Sequence, residues 1–231
     1  MSSTLSNVSD RRGGKNPLND GLASGVILEV QSQLQDENSD TGVSSLYVPV
    51  ENHQWFVLRA TYNRVEKEIE TLRKNVAFVY LPKHYIIKQV NGKKKHVSEP
   101  LVPNLVFVYS TQEHLEQLFC EEKVLSHYRF YRDKTKSITN EKHPPLVVPH
   151  DEMLNFIRLT SVESEHIKLV EPEHCHYKSG DKVRVVQGDF SGVEGRIARV
   201  SGQQRVVVEI NGLCIVATAY IPKSFIHRIN D

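Results

Sequence analysis

The chain has 231 residues, 39% hydrophobic and 25% charged, with a formal net charge of +1, which suits a soluble protein of one large domain or two small ones. No apolar run approaches the roughly 20 residues of a membrane helix, and the polar first ten residues do not read as a secretory signal. Three widely spaced cysteines, Cys120, Cys175 and Cys214, indicate no disulfide framework, so a cytoplasmic protein without a membrane partner is expected.

Residues 1–53 hold three Lys/Arg against seven Asp/Glu and a single aromatic, Tyr47. So little apolar surface cannot offset the entropy of ordering, and a disordered acidic N-terminal extension is expected. Within it, Val26 to Leu34 has the make-up of a partner-induced helix. A strand is predicted over Trp55–Ala60. Val65, Ile69, Leu72 and Val76 then recur at i, i+4, i+7 and i+11, the stripe of a helix that starts near Arg64, with Glu70 and Lys74 paired on its outer face. Ala77 to Leu81 reads as a second strand. Ile86–Val90 and Lys94–Val97 flank Asn91-Gly92, a type I′ hairpin signal with Lys93, Lys94 and Lys95 at its tip. Strand 105–109, helix 112–121 and strand 124–131 follow, and three prolines (Pro144, Pro145, Pro149) precede a helix over 151–158. The order predicts an α+β domain over 54–159, an antiparallel sheet flanked by helices.

After a linker over 160–177, Gly180 to Ile197 reads GDKVRVVQGDFSGVEGRI. Its β-favouring positions, Val183 and Val185, are punctuated by Gly188, Gly192 and Gly195, too closely for any helix, as in a small, strongly bent sheet. Val206–Ile210, the turn signal Asn211-Gly212, Leu213–Val216 and Ser224–Ile229 add further short strands. Residues 178–231 are expected to form a small β-barrel.

The Gly-Asp, Val-Arg-Val and Gly-x-x-Gly elements of this segment resemble a KOW motif, found in SH3-like barrels of ribosomal proteins and NusG-type transcription factors. Gln54–Leu58 resembles the opening strand of a NusG N-terminal domain, and Glu99–Val108 is similar to its signature, usually Leu-Phe-Pro-Gly-Tyr-hydrophobic-Phe-Val. Asn104 stands in place of the usual Gly and Val102 in place of the usual Phe. Asn104, and Ser98-Glu99-Pro100 ahead of the signature, with His127–Arg132, Ala217–Pro222 and the acidic extension, resemble the specialised RfaH-like and UpxY-like antiterminators.

The resemblance implies a transcription elongation and antitermination factor that suppresses pausing and termination on long operons, such as those for surface polysaccharide. It further implies that an exposed apolar face (Phe56, Leu101, Val102, Pro103, Asn104, Leu105 and Phe107) packs on the clamp helices of the largest RNA polymerase subunit. On that view, replacing both Phe56 and Phe107 by alanine leaves the fold intact. A polar rim of Thr61, Tyr62, Asn63, Arg64, Lys67, Lys93, Lys94, Lys95 and Lys123 would meet exposed non-template DNA in the transcription bubble, giving salt-dependent attraction. The KOW domain would recruit a ribosomal protein or a termination factor to what is expected to be a monomer. A housekeeping elongation factor and a ribosome-associated RNA-binding KOW protein are the alternatives. No nucleotide-binding, hydrolase or zinc-protease motif occurs, so no catalytic residue, cofactor or metal is expected, and His174-Cys175-His176 reads as linker.

Overall fold

The computed structural model describes residues 50–229 except 62–64, 77, 121–124, 139–141, 163 and 165. The expectations for the N-terminal extension up to residue 49 lie outside the described residues.

Strand β1 (Gln54–Ala60) is the centre of the first sheet. It pairs antiparallel with β5 (Leu105–Ser110) on one side, and on the other with β6 (Tyr128–Phe130) and the two-residue β7 (Val147–Val148). Strand β2 (Phe78–Tyr80) pairs with the far edge of β5. Both faces of this sheet are covered, which is why β1 and β5 read as continuous apolar runs rather than as alternating ones. Phe56, Leu58, Val106 and Val108 pack under helices α1 (Val65–Asn75) and α2 (Gln112–Cys120). Trp55, Val57, Phe107 and Tyr109 face the other way, towards helix α3 (His150–Thr160).

The stripe predicted for α1 is realised: Val65, Ile69, Leu72 and Val76 are all buried. On its outer face Arg73 Nη1 donates to Glu70 Oε1 at 2.6 Å. Strands β3 (Lys83–Val90) and β4 (Lys93–Pro100) form a separate hairpin, paired from Lys83↔Pro100 to Val90↔Lys93. Its turn has φ of 51° at Asn91 and 74° at Gly92, the double left-handed pair of the type I′ turn the sequence predicts. The strand predicted over 124–131 shrinks to Tyr128–Phe130, because a turn closed by the Tyr128 N–H on the Leu125 carbonyl (3.0 Å) precedes it.

Beyond α3 the segment read as a linker supplies a strand, β8 (Lys168–Val170), that pairs with β12 (Cys214–Tyr220). It belongs to a six-stranded antiparallel sheet in the order β13-β9-β10-β11-β12-β8. The remaining members are β9 (His176–Val185), β10 (Glu194–Val200), β11 (Gln203–Ile210) and β13 (Ile226–Arg228). Register shifts at Arg196/Ala198 and Arg205/Val207 bend it. Among the described residues no ladder joins β8 to β13, so the pairings describe an open bent sheet rather than the closed barrel expected. Asn211-Gly212 also departs from its prediction: Ile210 pairs with Cys214 across a three-residue turn in which only Gly212, at φ 75°, is left-handed.

The two sheets share one apolar cluster. It runs from Trp55, Phe107 and Phe156 through Leu159 and Ile167 to Val183, Val206, Val208 and Val216. Helix α3 contributes to it, and a smaller cluster (Val170, Cys175, Ala198, Val207, Ile215) covers another part of the C-terminal sheet.

Candidate polymerase and nucleic-acid interfaces

The signature turn between β4 and β5 is tightly specified by backbone bonds. The Leu101 N–H donates to the Pro82 carbonyl (2.8 Å), and the Ala60 N–H donates to the Asn104 carbonyl (2.8 Å). Asn104 has φ of 62°, a left-handed conformation that asparagine tolerates better than other non-glycine residues. Asparagine and glycine are therefore interchangeable at this turn on conformational grounds.

The seven residues expected to form an exposed apolar face divide sharply. Phe56 and Phe107 are fully buried, and Leu101, Val102 and Leu105 are nearly so. Pro103 is exposed and Asn104 half-buried. Strand parity explains the correction: Phe56 pairs across to Val108 while Phe107 pairs to Val57, so the two phenylalanines enter opposite cores. Phe56 meets Phe130 (centroids 5.5 Å apart) and Phe107 meets Phe156 (5.1 Å). In this arrangement the accessible part of the set is the tip of the turn.

The expected nucleic-acid rim is also divided. Thr61 is exposed at the end of β1, where its backbone N–H and Oγ1 both donate to the His127 carbonyl (2.9 and 3.3 Å). Tyr62, Asn63, Arg64 and Lys123 lie outside the described residues, as does the side chain of Lys67 on α1. Lys93, Lys94 and Lys95 are exposed at the hairpin tip. Cross-strand pairing sets Lys95 opposite Lys88 and Lys94 opposite Gln89, so Lys93 and Lys95 share one face with Lys88, and Lys94 takes the other. Lys88 is ion-paired with Glu99 on the same hairpin.

A third polar region lies outside both expected surfaces. Where α3 meets β10 and β11, a cleft of about 190 Å³ is lined by Asp151, Glu152, Asn155, Lys182 and Glu209 among others. The Glu194 N–H donates to Asn155 Oδ1 at 3.1 Å, tying the C-terminal sheet to the helix. Glu194 also accepts two bonds from Arg184 (2.9 and 2.6 Å). Glu152 Oε2 is buried without a hydrogen-bond partner among the described residues. Its burial, with Asp151 and Glu209 adding to it, pushes its carboxyl above the usual carboxylate range, and Lys182 only partly opposes this. A raised folded-state pKa means that ionisation costs stability as pH rises through it. Glu152→Gln is therefore expected to stabilise the chain at pH 7. The gain should shrink as pH falls and be absent below about pH 4, where the native carboxyl is protonated in both states. Urea titrations at the two pH values check this, and an equal gain at both would refute the assignment. No single position in the sequence signals this cleft, because α3 and β11 are far apart along the chain.

Among the described residues no group of three or more His, Cys, Asp or Glu side chains could hold a metal ion. Cys175 is buried beside a short 3-10 turn, Pro172–His174, and His176 opens β9. No helix among the described residues is long and apolar enough to cross a membrane.

The central sheet, its helices and the Asn104 turn coincide with a family match. Residues 53–157 match the NusG family model, described as transcription termination factor nusG. The match supports a NusG-type factor that acts in transcription elongation or termination and interacts with RNA polymerase. It covers the first sheet and most of α3 and stops before the C-terminal sheet. No curated protein matches the chain.

Proposed function

We propose that this chain is a specialised antitermination factor that binds the clamp helices of the largest RNA polymerase subunit and suppresses pausing and termination on particular long operons, of the surface-polysaccharide type. The NusG-type match over residues 53–157 carries the reading. Polymerase contact centres on the turn at exposed Pro103 and half-buried Asn104, the accessible members of the expected set. Thr61 and the hairpin lysines 93–95 face the non-template strand, with Tyr62, Asn63, Arg64, Lys67 and Lys123 completing that rim. The factor acts by binding the closed, elongating polymerase more tightly than its paused state, since a ligand shifts an equilibrium only by differential affinity. The C-terminal sheet, whose Gly180–Ile197 segment carries the KOW resemblance, recruits a ribosomal protein or a termination factor.

The test uses a surface substitution that spares the core. Pro103→Asp is expected to leave the melting temperature nearly unchanged, as surface changes mostly do, and to abolish recovery of RNA polymerase in a pull-down with the full chain. Undiminished recovery would remove the turn from the interface. Deleting the gene and mapping transcripts separates specialist from generalist: a polarity defect confined to one operon supports the specialised reading, and a genome-wide defect overturns it.

A further inference from the structure

Between α2 and β6 the surface opens into a groove of about 630 Å³. Its floor is aromatic: Phe119 meets Phe130 edge-on, with centroids 5.1 Å apart. Among the described residues, Arg129, Arg132, Lys142 and His143 stand around that floor against one carboxylate, Glu116.

The cations are aimed by neutral groups. Arg129 Nη1 donates to the carbonyls of Ser126 (2.8 Å) and Tyr128 (2.6 Å). Arg132 Nη1 donates to the His143 carbonyl (3.1 Å), and its guanidinium lies 5.8 Å from the Phe130 ring centroid. Carbonyls fix the direction of a guanidinium without cancelling its charge. Among the described residues neither arginine nor Lys142 forms an ion pair with a carboxylate. Arg129 also stands directly opposite exposed Arg59 across the β1–β6 ladder, a like-charge pairing that is unfavourable until an anion approaches.

We propose that this groove binds single-stranded DNA, with phosphates on Arg129, Arg132 and Lys142 and an unstacked base against Phe119. Bare cations over an aromatic floor are the two components of single-strand recognition, whereas a duplex keeps its base faces covered. The groove follows the β6 edge away from Thr61, whose contact with His127 adjoins the start of that strand. From His127 to Arg132 the edge spans roughly 17 Å, so one strand can lie on both Thr61 and the groove. The proposal rests on the reading of the chain as a factor that meets displaced DNA, and it adds a contact site outside the expected rim.

The test measures binding of a fluorescent oligo-dT of about a dozen nucleotides to the full chain, at several salt concentrations. Cys120 on the groove wall is exposed, while Cys175 is buried and burial, with Glu209 adding, pushes the Cys214 thiol up to about 12. Oligo-dT is therefore expected to slow maleimide labelling of Cys120. The triple variant Arg129→Gln, Arg132→Gln, Lys142→Gln should weaken binding at least tenfold and lower the salt slope by about 2, at roughly 0.7 per lost phosphate contact. Lys142→Gln alone, at an exposed position, keeps the test valid if the triple variant unfolds, with a slope change of about 0.7. Phe119→Leu should weaken binding roughly tenfold through lost stacking. Unchanged affinity and unchanged Cys120 protection in these variants would overturn the proposal. Displacement of the DNA by poly-glutamate with no dependence on Phe119 would overturn it in favour of an acidic protein segment. Polymerase recovery is scored in parallel: recovery without DNA binding defeats the groove alone, and groove binding without polymerase recovery defeats only the proposed function.

Discussion

Phe107→Ala is expected to destabilise the chain by about 3–5 kcal/mol, the usual range for emptying a fully buried aromatic site. Phe107 has no solvent exposure and packs on Phe156 at 5.1 Å, at the point where β5 and α3 meet. At roughly 2–4 °C per kcal/mol for a chain of this size, the melting temperature should fall by about 10 °C. Phe56→Ala should do the same from the opposite face, where Phe130 backs the ring. On the family resemblance alone, both substitutions leave the fold intact while removing polymerase binding. The burial argues otherwise, and loss of binding in either variant would report unfolding. Thermal melts decide this: a change under about 2 °C, less than 1 kcal/mol, would show that Phe107 is not the core residue its packing implies.

Gly195→Ala should also be costly, for a different reason. Gly195 sits in β10 with its α-carbon turned towards β11. A methyl group there would lie 2.3 Å from the Val207 carbonyl oxygen and 2.9 Å from Val206 Cγ1. The backbone oxygen cannot move without breaking the β10–β11 ladder, so overpacking of about 3 kcal/mol or more is expected. Gly192 makes the control. It has φ of 82° but open space around it, so its substitution meets backbone strain without collision. Soluble yield and urea midpoints would report both, and a Gly195→Ala protein as stable as the wild type would contradict the close approach of the two strands.

Much of this architecture is legible in the sequence. The stripe Val65, Ile69, Leu72 needs only the 3.6-residue period, and the Asn91-Gly92 turn needs only local backbone preference. Strands β7 and β8 and the true extent of β6 are not legible, because two or three residues carry no period; their pairing to β1 or β12 defines them. The apolar-face expectation fails at a subtler point. The continuous apolar runs of β1 and β5 show no alternation to read, and whether Phe56 and Phe107 share a face depends on the register between the two strands. The groove is hidden for a related reason. Phe119, Arg129 and Lys142 come from three segments, and only the closing of β6 on β1 brings them to one surface. The cleft at Glu152 depends in the same way on where α3 docks.

The shared cluster of the two sheets has a thermodynamic consequence. Helix α3 is part of an apolar cluster common to the first sheet and the C-terminal one, so separating the sheets would hydrate hydrophobic surface on both. Any molecule that favours the docked state stabilises both sheets, and any that favours separation weakens both. By reciprocity, a ligand held by the C-terminal strands and one held by the first sheet must alter each other's affinity by the same factor whenever both bias that docking equilibrium. The hydrogen bond from the Glu194 N–H to Asn155 lies on that equilibrium.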